Sequence, residues 1–280
     1  MAVTASGAVL RDGPGGTAEM SPAVAAACAA HRRRRSRDRV LRVVLPILAI
    51  AVLLGGWQLS SLWLNPLLFS TPWDVARTFP QIVEAGALQA ALSQTMSEWA
   101  ISLGIGLGGG VLLGALMGRY RWFERTVNPF VDFLIATPRV VLIPLLVVWI
   151  GVASEGRIVF AVLTNMFVVV INTIAGVRNV NRNYVDVARS VGLSDRAITL
   201  KIRVPGAIPY ILAGARLCAS VSLVGLIIAE LEFSSVGLGY LLQIYQSRGE
   251  TDRVLVLVVV AAALGLLIVG VFKLIEWLFF

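Results

Sequence analysis

The chain has 280 residues, of which 58% are hydrophobic and only 14% are charged, and its mean hydropathy is +0.83. Soluble globular domains are about half apolar and about a quarter charged, so this composition excludes an ordinary cytosolic enzyme, a disordered chain and a secreted disulfide scaffold. The two cysteines, Cys28 and Cys218, lie far apart, and the only histidine, His31, lies in an arginine run. These residues support neither a disulfide framework nor a Ser-His-Asp or histidine-rich metal site. The remaining class is an integral membrane protein.

The N-terminal segment is small and polar, and then strongly basic. The net charge is +8, and the arginines that precede the first apolar run are Arg32, Arg33, Arg34, Arg35, Arg37, Arg39 and Arg42. Such a block can bind nucleic acid or anionic lipid, but the stronger interpretation is a juxtamembrane segment that holds the N-terminus in the cytoplasm. We therefore predict a disordered basic tail over residues 1–39, no nucleic-acid partner, contact with membrane lipid, and a transmembrane domain over residues 40–280.

Long apolar runs predict the transmembrane helices. A spanning helix needs roughly 20 mostly apolar residues. The runs that meet this requirement are Val40–Leu64, Leu92–Met117, Phe130–Gly151, Ile158–Val177, Ala207–Leu231 and Val254–Phe279. They predict an all-α polytopic membrane protein with about six transmembrane helices, because a β-barrel would show short alternating segments. With both termini in the cytoplasm, the basic residues left outside are Arg77, Arg157, Arg248 and Arg253. This asymmetry predicts that topology.

The second predicted span carries glycines at intervals of four residues. They are Gly106, Gly110, Gly114 and Gly118. Small residues at this spacing let two helix backbones approach closely in lipid, so the stripe predicts helix packing. The chain contains no Gly-x-x-x-x-Gly-Lys loop for nucleotide phosphates. We therefore predict a non-enzymatic subunit that has no ATP site and binds no cofactor.

The longest predicted inner loop, residues 181–205, carries signals for two short helices. Asn183 is predicted to cap the first helix, with Asp186 three residues later as in a capping box. Gly192 suits the left-handed position that ends such a helix, and Ser194 can cap the second. Pro205 is predicted to mark the boundary before the fifth span. A helix–turn–helix at this place predicts a docking element for a cytoplasmic partner, with a surface-lying amphipathic connector as the alternative.

This loop resembles the EAA loop of ABC importer permeases: Glu-Ala-Ala, then Gly, then Ile-x-Leu-Pro. The residues at the matching positions are Asp186, Val187, Ala188, Gly192, Ile202, Val204 and Pro205. This sequence has Asp where the motif has Glu, and it has Val where the motif has its first Ala and its Leu. The segments Thr137–Val152 and Ala229–Tyr240 resemble the nitrate, sulfonate and taurine branch of the family, and the resemblance extends over residues 67–273.

The resemblance implies a fold like that of type I ABC importer permeases and a location in the cytoplasmic (inner) membrane. It implies a second permease copy as a homodimer partner, separate ABC ATPase subunits and an extracytoplasmic solute-binding protein. The loop helices would seat on the ATPases and transmit their closure to the spans. The implied function is movement of a small sulfonate, nitrate or taurine-like solute, driven by ATP that the ATPases hydrolyse.

Four charged residues lie within or near the predicted spans. Arg216 falls near mid-bilayer, where an arginine costs at least ~2.5–3.5 kcal/mol, so it should line a pathway or pair with another helix. The same two roles, lining a pathway or pairing with another helix, apply to Arg139, Glu98 and Glu230. The alternative is snorkelling of their long side chains to the interface. The acidic Glu98 motivates an alternative substrate, a neutral or cationic heterocycle such as a pyrimidine vitamin precursor. The rival classes are a membrane-anchored nucleic-acid-binding or scaffold protein and a secondary transporter.

Overall fold

The computed structural model describes residues 44–60, 63 and 69–279, and no strand occurs among them. The chain divides into two units, residues 1–59 and 60–280. The apolar helix α1 is Val44–Ser60. The other helices, in chain order, are α2 (Pro72–Glu84), α3 (Ala87–Arg119), α4 (Arg121–Ala136), α5 (Ile143–Ile150), α6 (Ser154–Arg178), α7 (Arg182–Ser190), α8 (Asp195–Ile198), α9 (Val204–Phe233), α10 (Leu238–Ser247) and α11 (Thr251–Phe279). The predicted tail over residues 1–39 lies outside the described residues.

Most of the predicted spans correspond to long apolar helices. The helices long and apolar enough to cross a membrane are Ala87–Arg119, Ser154–Arg178, Asp195–Phe233 and Thr251–Leu278, and α4 with α5 forms a bent fifth candidate. The predicted first span, residues 40–64, overlaps α1, which is shorter than a spanning helix requires in the part that is described. The all-helical prediction is confirmed for the described residues.

The prediction of one continuous third span over residues 130–151 is wrong. The segments Arg121–Ala136 and Arg139–Ile150 meet at an angle of 99°. Thr137 at the break is extended, with φ −75° and ψ 128°. Proline disfavours helical backbone in the residue before it and has no N–H to donate, so Pro138 ends α4. A 3₁₀ turn over Arg139–Leu142 then begins the second arm.

Helices α3, α6 and α9 form the centre of the second unit. The glycine stripe of α3 lies on α6: a Cβ on Gly110 would meet the Val169 Cβ at 2.6 Å, and one on Gly114 would meet the Thr173 Cβ at 2.7 Å. The contacts follow the same order along both helices, from Gly110 with Val169 to Gly114 with Thr173, so α3 and α6 run parallel. The stripe therefore allows these two backbones to touch.

Helix α9 crosses α6 in the antiparallel direction through a second set of small residues. A Cβ on Gly214 would lie 2.8 Å from the Asn172 Cβ, and a Cβ on Gly225 would lie 3.2 Å from the Thr164 Cβ. These two glycines are not spaced at intervals of four, so sequence spacing did not single them out. Close approach on both sides makes α6, together with α9, more enclosed than α3 or α11.

Pro205 lies in the first turn of α9, at the boundary that the sequence predicts, but the backbone stays helical on both sides of this boundary. Residues Asp195–Phe233 form one stretch of 39 residues. A π turn over Thr199–Arg203 precedes Pro205, and the Val204 N–H donates to the Thr199 carbonyl, five residues earlier. A proline ring normally clashes with the carbonyl four residues before it. The wider π turn accommodates Pro205 without ending the helix.

The two ends of the bundle differ in charge. We call the end at which α3 and α6 finish and α9 begins the basic end, because Arg119, Arg178 and Arg203 lie there. At the opposite end, α2, α10 and the start of α11 enclose a small apolar core around Ile82, Leu238 and Leu257. The short helices α7 and α8 therefore lie at the basic end.

Candidate functional site

The loop at the basic end folds into the two predicted helices, α7 and α8, with one change in the cap. The Asn181 side chain accepts a hydrogen bond from the Asn183 N–H at 3.0 Å, so Asn181 caps α7. The predicted cap at Asn183 and the capping box with Asp186 are wrong, because the helix starts two residues earlier. The Ser194 hydroxyl accepts from the Ala197 N–H at 3.3 Å and caps α8 as predicted.

A tight turn at Gly192 joins α7 to α8. Gly192 has φ +79°, the left-handed conformation expected of it. The Leu193 N–H donates to the Ala188 carbonyl, and the Gly192 N–H donates to the Arg189 carbonyl, both at 3.0 Å. These two bonds satisfy carbonyls that the end of α7 would leave unpaired.

Helix α7 has one buried face and one exposed apolar face. Val185 and Ala188 are buried against Ile198 of α8, and Ile202 packs beside them. On the other face, the apolar residues Tyr184 and Val187, with Val191 immediately after the last residue of the helix, are exposed by 65%, 63% and 70%. Their spacing places them on one side of the helix, because residues three or four apart are neighbours on its surface. Buried Ala188 fixes the helix, and the exposed face has no partner within the described chain.

Polar contacts connect this loop to the spans. The Arg119 Nε at the end of α3 donates to the Thr199 Oγ1 at 3.1 Å, and the Arg119 Nη2 lies 3.8 Å from the Asp195 Oδ2. Arg178 at the end of α6 pairs with Glu124 of α4. The two Arg119 contacts connect α8 and the turn that follows it to the end of α3. Sequence reasoning missed Arg119, which has no distinguishing local pattern.

The loop residues at the positions of the EAA motif differ in their surroundings. Asp186 has an exposed side chain with a single long ion pair, 4.0 Å to Arg189. Val187 belongs to the exposed apolar face, whereas Ile202 is half-buried behind α7. Pro205 is exposed in the first turn of α9. A cavity of about 1020 Å³ beside α7 is lined by Arg121, Arg125, Arg178, Arg189 and Arg203 with two acidic side chains.

Glu98 forms a buried ion pair at the opposite end of the bundle. The Arg157 Nε and Nη2 donate to its two carboxylate oxygens at 2.9 and 2.5 Å, and the two side chains are only 3% and 4% exposed. The Gln94 amide donates a third bond, at 2.7 Å. The placement of Arg157 in an outer loop is therefore wrong, and so is snorkelling of Glu98. The sequence contained a signal for this burial, because Arg157 immediately precedes the predicted fourth span.

Glu230 is also buried, and it holds the start of α10. Its carboxylate accepts from the Thr95 hydroxyl at 2.7 Å and from the Gly239 N–H at 2.9 Å. The Thr95 hydroxyl in turn accepts from the Leu238 N–H at 3.0 Å. A Cβ on Gly239 would approach the Leu231 N to 2.6 Å, so glycine is required there. These contacts make Glu230 an interhelical residue, and snorkelling is wrong for it as well.

The two remaining charged residues have different environments. Arg216 pairs with Glu276 of α11, with 2.5 Å between the Nη1 and the Oε2. Its partner thus comes from another helix of the same chain, which is one of the two predicted possibilities. Arg139 lies in the 3₁₀ turn after the break and lines a cavity of about 390 Å³.

The chain is similar to known transport permeases over most of its length. The family described as the binding-protein-dependent transport system inner membrane component matches residues 106–277. A putative aliphatic sulfonates transport permease protein of Escherichia coli (strain K12) is 34% identical, over 81% of this chain and 86% of that protein. Its counterpart in Bacillus subtilis (strain 168) is 29% identical, over 88% and 87%. A formylaminopyrimidine transport permease protein of Halalkalibacterium halodurans is 24% identical, over 82% and 92%.

Solved structures share the fold. A chain of an amino acid ABC transporter has a TM-score of 0.57 at 20% identity, over 71% of this chain and 95% of that chain. A chain of the inward-facing MetNI methionine ABC transporter has a TM-score of 0.56 at 19% identity, over 73% and 95%. These similarities confirm the predicted type I importer permease fold.

Proposed function

We propose a substrate and a coupling surface for this chain, which belongs to the family of binding-protein-dependent transport system inner membrane components. It is a multi-pass permease subunit of an ABC importer in the inner membrane. Members of this family work with ATPase subunits and a solute-binding protein. The family match decides against the nucleic-acid, scaffold and secondary-transporter interpretations.

The proposed substrate is an aliphatic sulfonate. The relatives at 34% and 29% identity are named for aliphatic sulfonates, whereas the relative named for formylaminopyrimidine is 24% identical. Glu98 was the reason to consider a cationic or neutral heterocycle. That reason no longer holds, because both oxygens of this carboxylate bind Arg157.

The proposed coupling surface is the exposed apolar face of α7, and that face is the observation that carries this assignment. Tyr184, Val187 and Val191 lie at the basic end, where water would cover them in the isolated chain. Burying apolar area gains roughly 25 cal/mol per Å², so a cleft on each ATPase that takes this face would bind it favourably. ATP hydrolysis takes place on those subunits, and this chain holds no cofactor of its own.

The rest of the proposed assembly follows from the family and from charge. A second copy of the chain completes the pore as a homodimer, and the solute-binding protein docks at the end opposite the ATPases. The basic end faces the cytoplasm, since inner loops carry an excess of Lys and Arg. In this orientation α11 ends on the cytoplasmic side, and the arginines within residues 32–42 favour a cytoplasmic N-terminus by the same rule.

An aspartate at Val187 should lower ATPase co-purification by at least about tenfold, equivalent to ~1.4 kcal/mol. The reason is that docking would bury a charge in an apolar contact. The measurement is the amount of ATPase recovered with tagged permease at matched expression. Val152→Asp is the control, because Val152 is 62% exposed against 63% for Val187 and precedes α6 at the opposite end. Equal recovery with both variants would assign docking to another surface.

Replacing Gly192 by proline should abolish ATPase docking and leave membrane insertion intact. Proline fixes φ near −65°, whereas Gly192 has φ +79°. Gly192→Asn is the matched variant: a Cβ there would meet nothing within 4 Å, and asparagine tolerates the left-handed conformation. We expect the asparagine variant to retain most of its ATPase in the same co-purification. If the proline variant also retains wild-type ATPase, the turn does not position α7.

A further inference from the structure

A cavity in the membrane-spanning part of the bundle lies against the break between α4 and α5. Its volume is about 390 Å³, within the range of pockets that hold small organic ligands. Thr164 of α6, which lines it, is about 15 Å along the helix from Ser154. That distance is half of a hydrocarbon core about 30 Å thick, so the cavity is near mid-membrane.

Arg139 is the charged residue of this cavity. No ion pair joins Arg139 to any carboxylate in residues 44–60, 63 and 69–279. Its Nε is buried and has no hydrogen-bond partner there. A guanidinium at mid-membrane is expensive unless a counter-charge or a water-filled cavity accompanies it. Arg216, by contrast, has Glu276 as its partner.

The remaining lining is apolar, apart from two hydroxyls that are already engaged. It includes Ile135, Phe160, Val221 and Ile228. The Thr137 hydroxyl donates to the Phe133 carbonyl at 2.8 Å, and the Thr164 hydroxyl donates to the Ala161 carbonyl at 2.7 Å. One free cation beside an apolar wall suits a ligand that has one anionic group and an aliphatic part.

The break in the third span is what brings Arg139 to the cavity. A straight helix through Thr137 would continue in the direction of α4, whereas the observed arm turns by 99°. Arg139 is the first residue of the 3₁₀ turn that follows. Pro138 thus has a consequence for the site, since it sets the start of the turn that carries this guanidinium.

We propose that this cavity is the binding site for the sulfonate group of the substrate on its way through the permease. The proposal rests on the proposed function. The planar guanidinium offers paired N–H donors to two oxygens of the sulfonate, and the apolar wall contacts its alkyl chain.

The test is uptake of labelled ethanesulfonate by proteoliposomes that contain the permease, its ATPase and its binding protein. We expect uptake by Arg139→Gln to fall at least about tenfold, equal to ~1.4 kcal/mol. Arg139→Lys should keep part of the rate, since it retains the charge but loses the paired donors. Arg77→Gln is the control: it removes one positive charge from exposed Arg77, which lies on α2 outside the cavity. ATP hydrolysis stimulated by the binding protein is measured in the same vesicles.

The outcomes separate this proposal from the proposed substrate. Loss of uptake in Arg139→Gln alone, with ATP hydrolysis retained, supports the site. Equal uptake by Arg139→Gln and Arg77→Gln, with the wild type active, overturns the site and leaves the sulfonate assignment standing. A wild type that hydrolyses ATP but takes up no ethanesulfonate overturns the sulfonate assignment and the site with it. Loss of both uptake and hydrolysis in Arg139→Gln and in Arg139→Lys would make Arg139 a structural residue and also overturn the site.

Discussion

Replacing Glu98 by glutamine should destabilise the permease by about 3–5 kcal/mol, because Arg157 would keep a buried charge without its partner. The pair is bidentate, and its two side chains are 3% and 4% exposed. For a domain of this size, the loss corresponds to a fall of about 6–20 °C in Tm. The measurement is thermal unfolding of the purified permease in a fixed detergent, together with its yield from membranes.

Two further variants show whether the effect comes from the charge. The double variant Glu98→Gln/Arg157→Gln removes both charges and should recover most of the lost stability, since a neutral buried pair avoids the unpaired ion. Asp186→Asn breaks an exposed pair of 4.0 Å with Arg189 and should change stability by less than about 1 kcal/mol. A double variant as unstable as Glu98→Gln would mean that packing, not pairing, holds this part of the bundle.

Local backbone features were predictable from the sequence because their causes are local. Gly192 adopts the left-handed conformation that its position after a short polar helix indicates. Ser194 caps the following helix in the same way. The apolar runs predicted the helical class for a similar reason, since lipid allows few alternatives to a helix.

The wrong predictions about where helices end have a different cause from the missed ion-pair partners. At Pro138 and Pro205 the prolines were visible, but Pro138 breaks its span, whereas Pro205 begins α9 without a break from the preceding π turn. The difference is the π turn before Pro205, which no sequence pattern indicates. Hydropathy could not reveal the break at Pro138, because the run predicted as the third span, residues 130–151, is mostly apolar on both sides of it.

Ion-pair partners could not be found from sequence, because they join distant parts of the chain. Glu98 and Arg157 are 59 residues apart, and Arg216 and Glu276 are 60 apart. The exposed face of α7 was different, since the spacing of Tyr184, Val187 and Val191 can be read directly. What required the structure was the knowledge that Val185 and Ala188 occupy the buried side.

Replacing Gly110 by leucine should prevent assembly of the bundle. A Cβ at this position would lie 2.6 Å from the Val169 Cβ and 2.8 Å from the Met166 carbonyl oxygen. The obstructing carbonyl belongs to the backbone of α6, so no rotamer change can relieve the clash, and α3 would have to move away. Overpacking typically costs about 1–3 kcal/mol where side chains can shift, and it costs more where, as here, two backbones must separate. We expect little folded permease by size-exclusion chromatography at expression matched to the wild type.

Gly108→Leu is the matched control, two residues away on the same helix. A Cβ on Gly108 meets nothing within 4 Å in this chain, and Gly108 is exposed. Both substitutions remove a glycine from an apolar helix and add the same side chain, so helix propensity and hydrophobicity change equally. Only the backbone of α6 distinguishes them. A Gly110→Leu variant that elutes and transports like Gly108→Leu would show that α3 and α6 do not need their close approach.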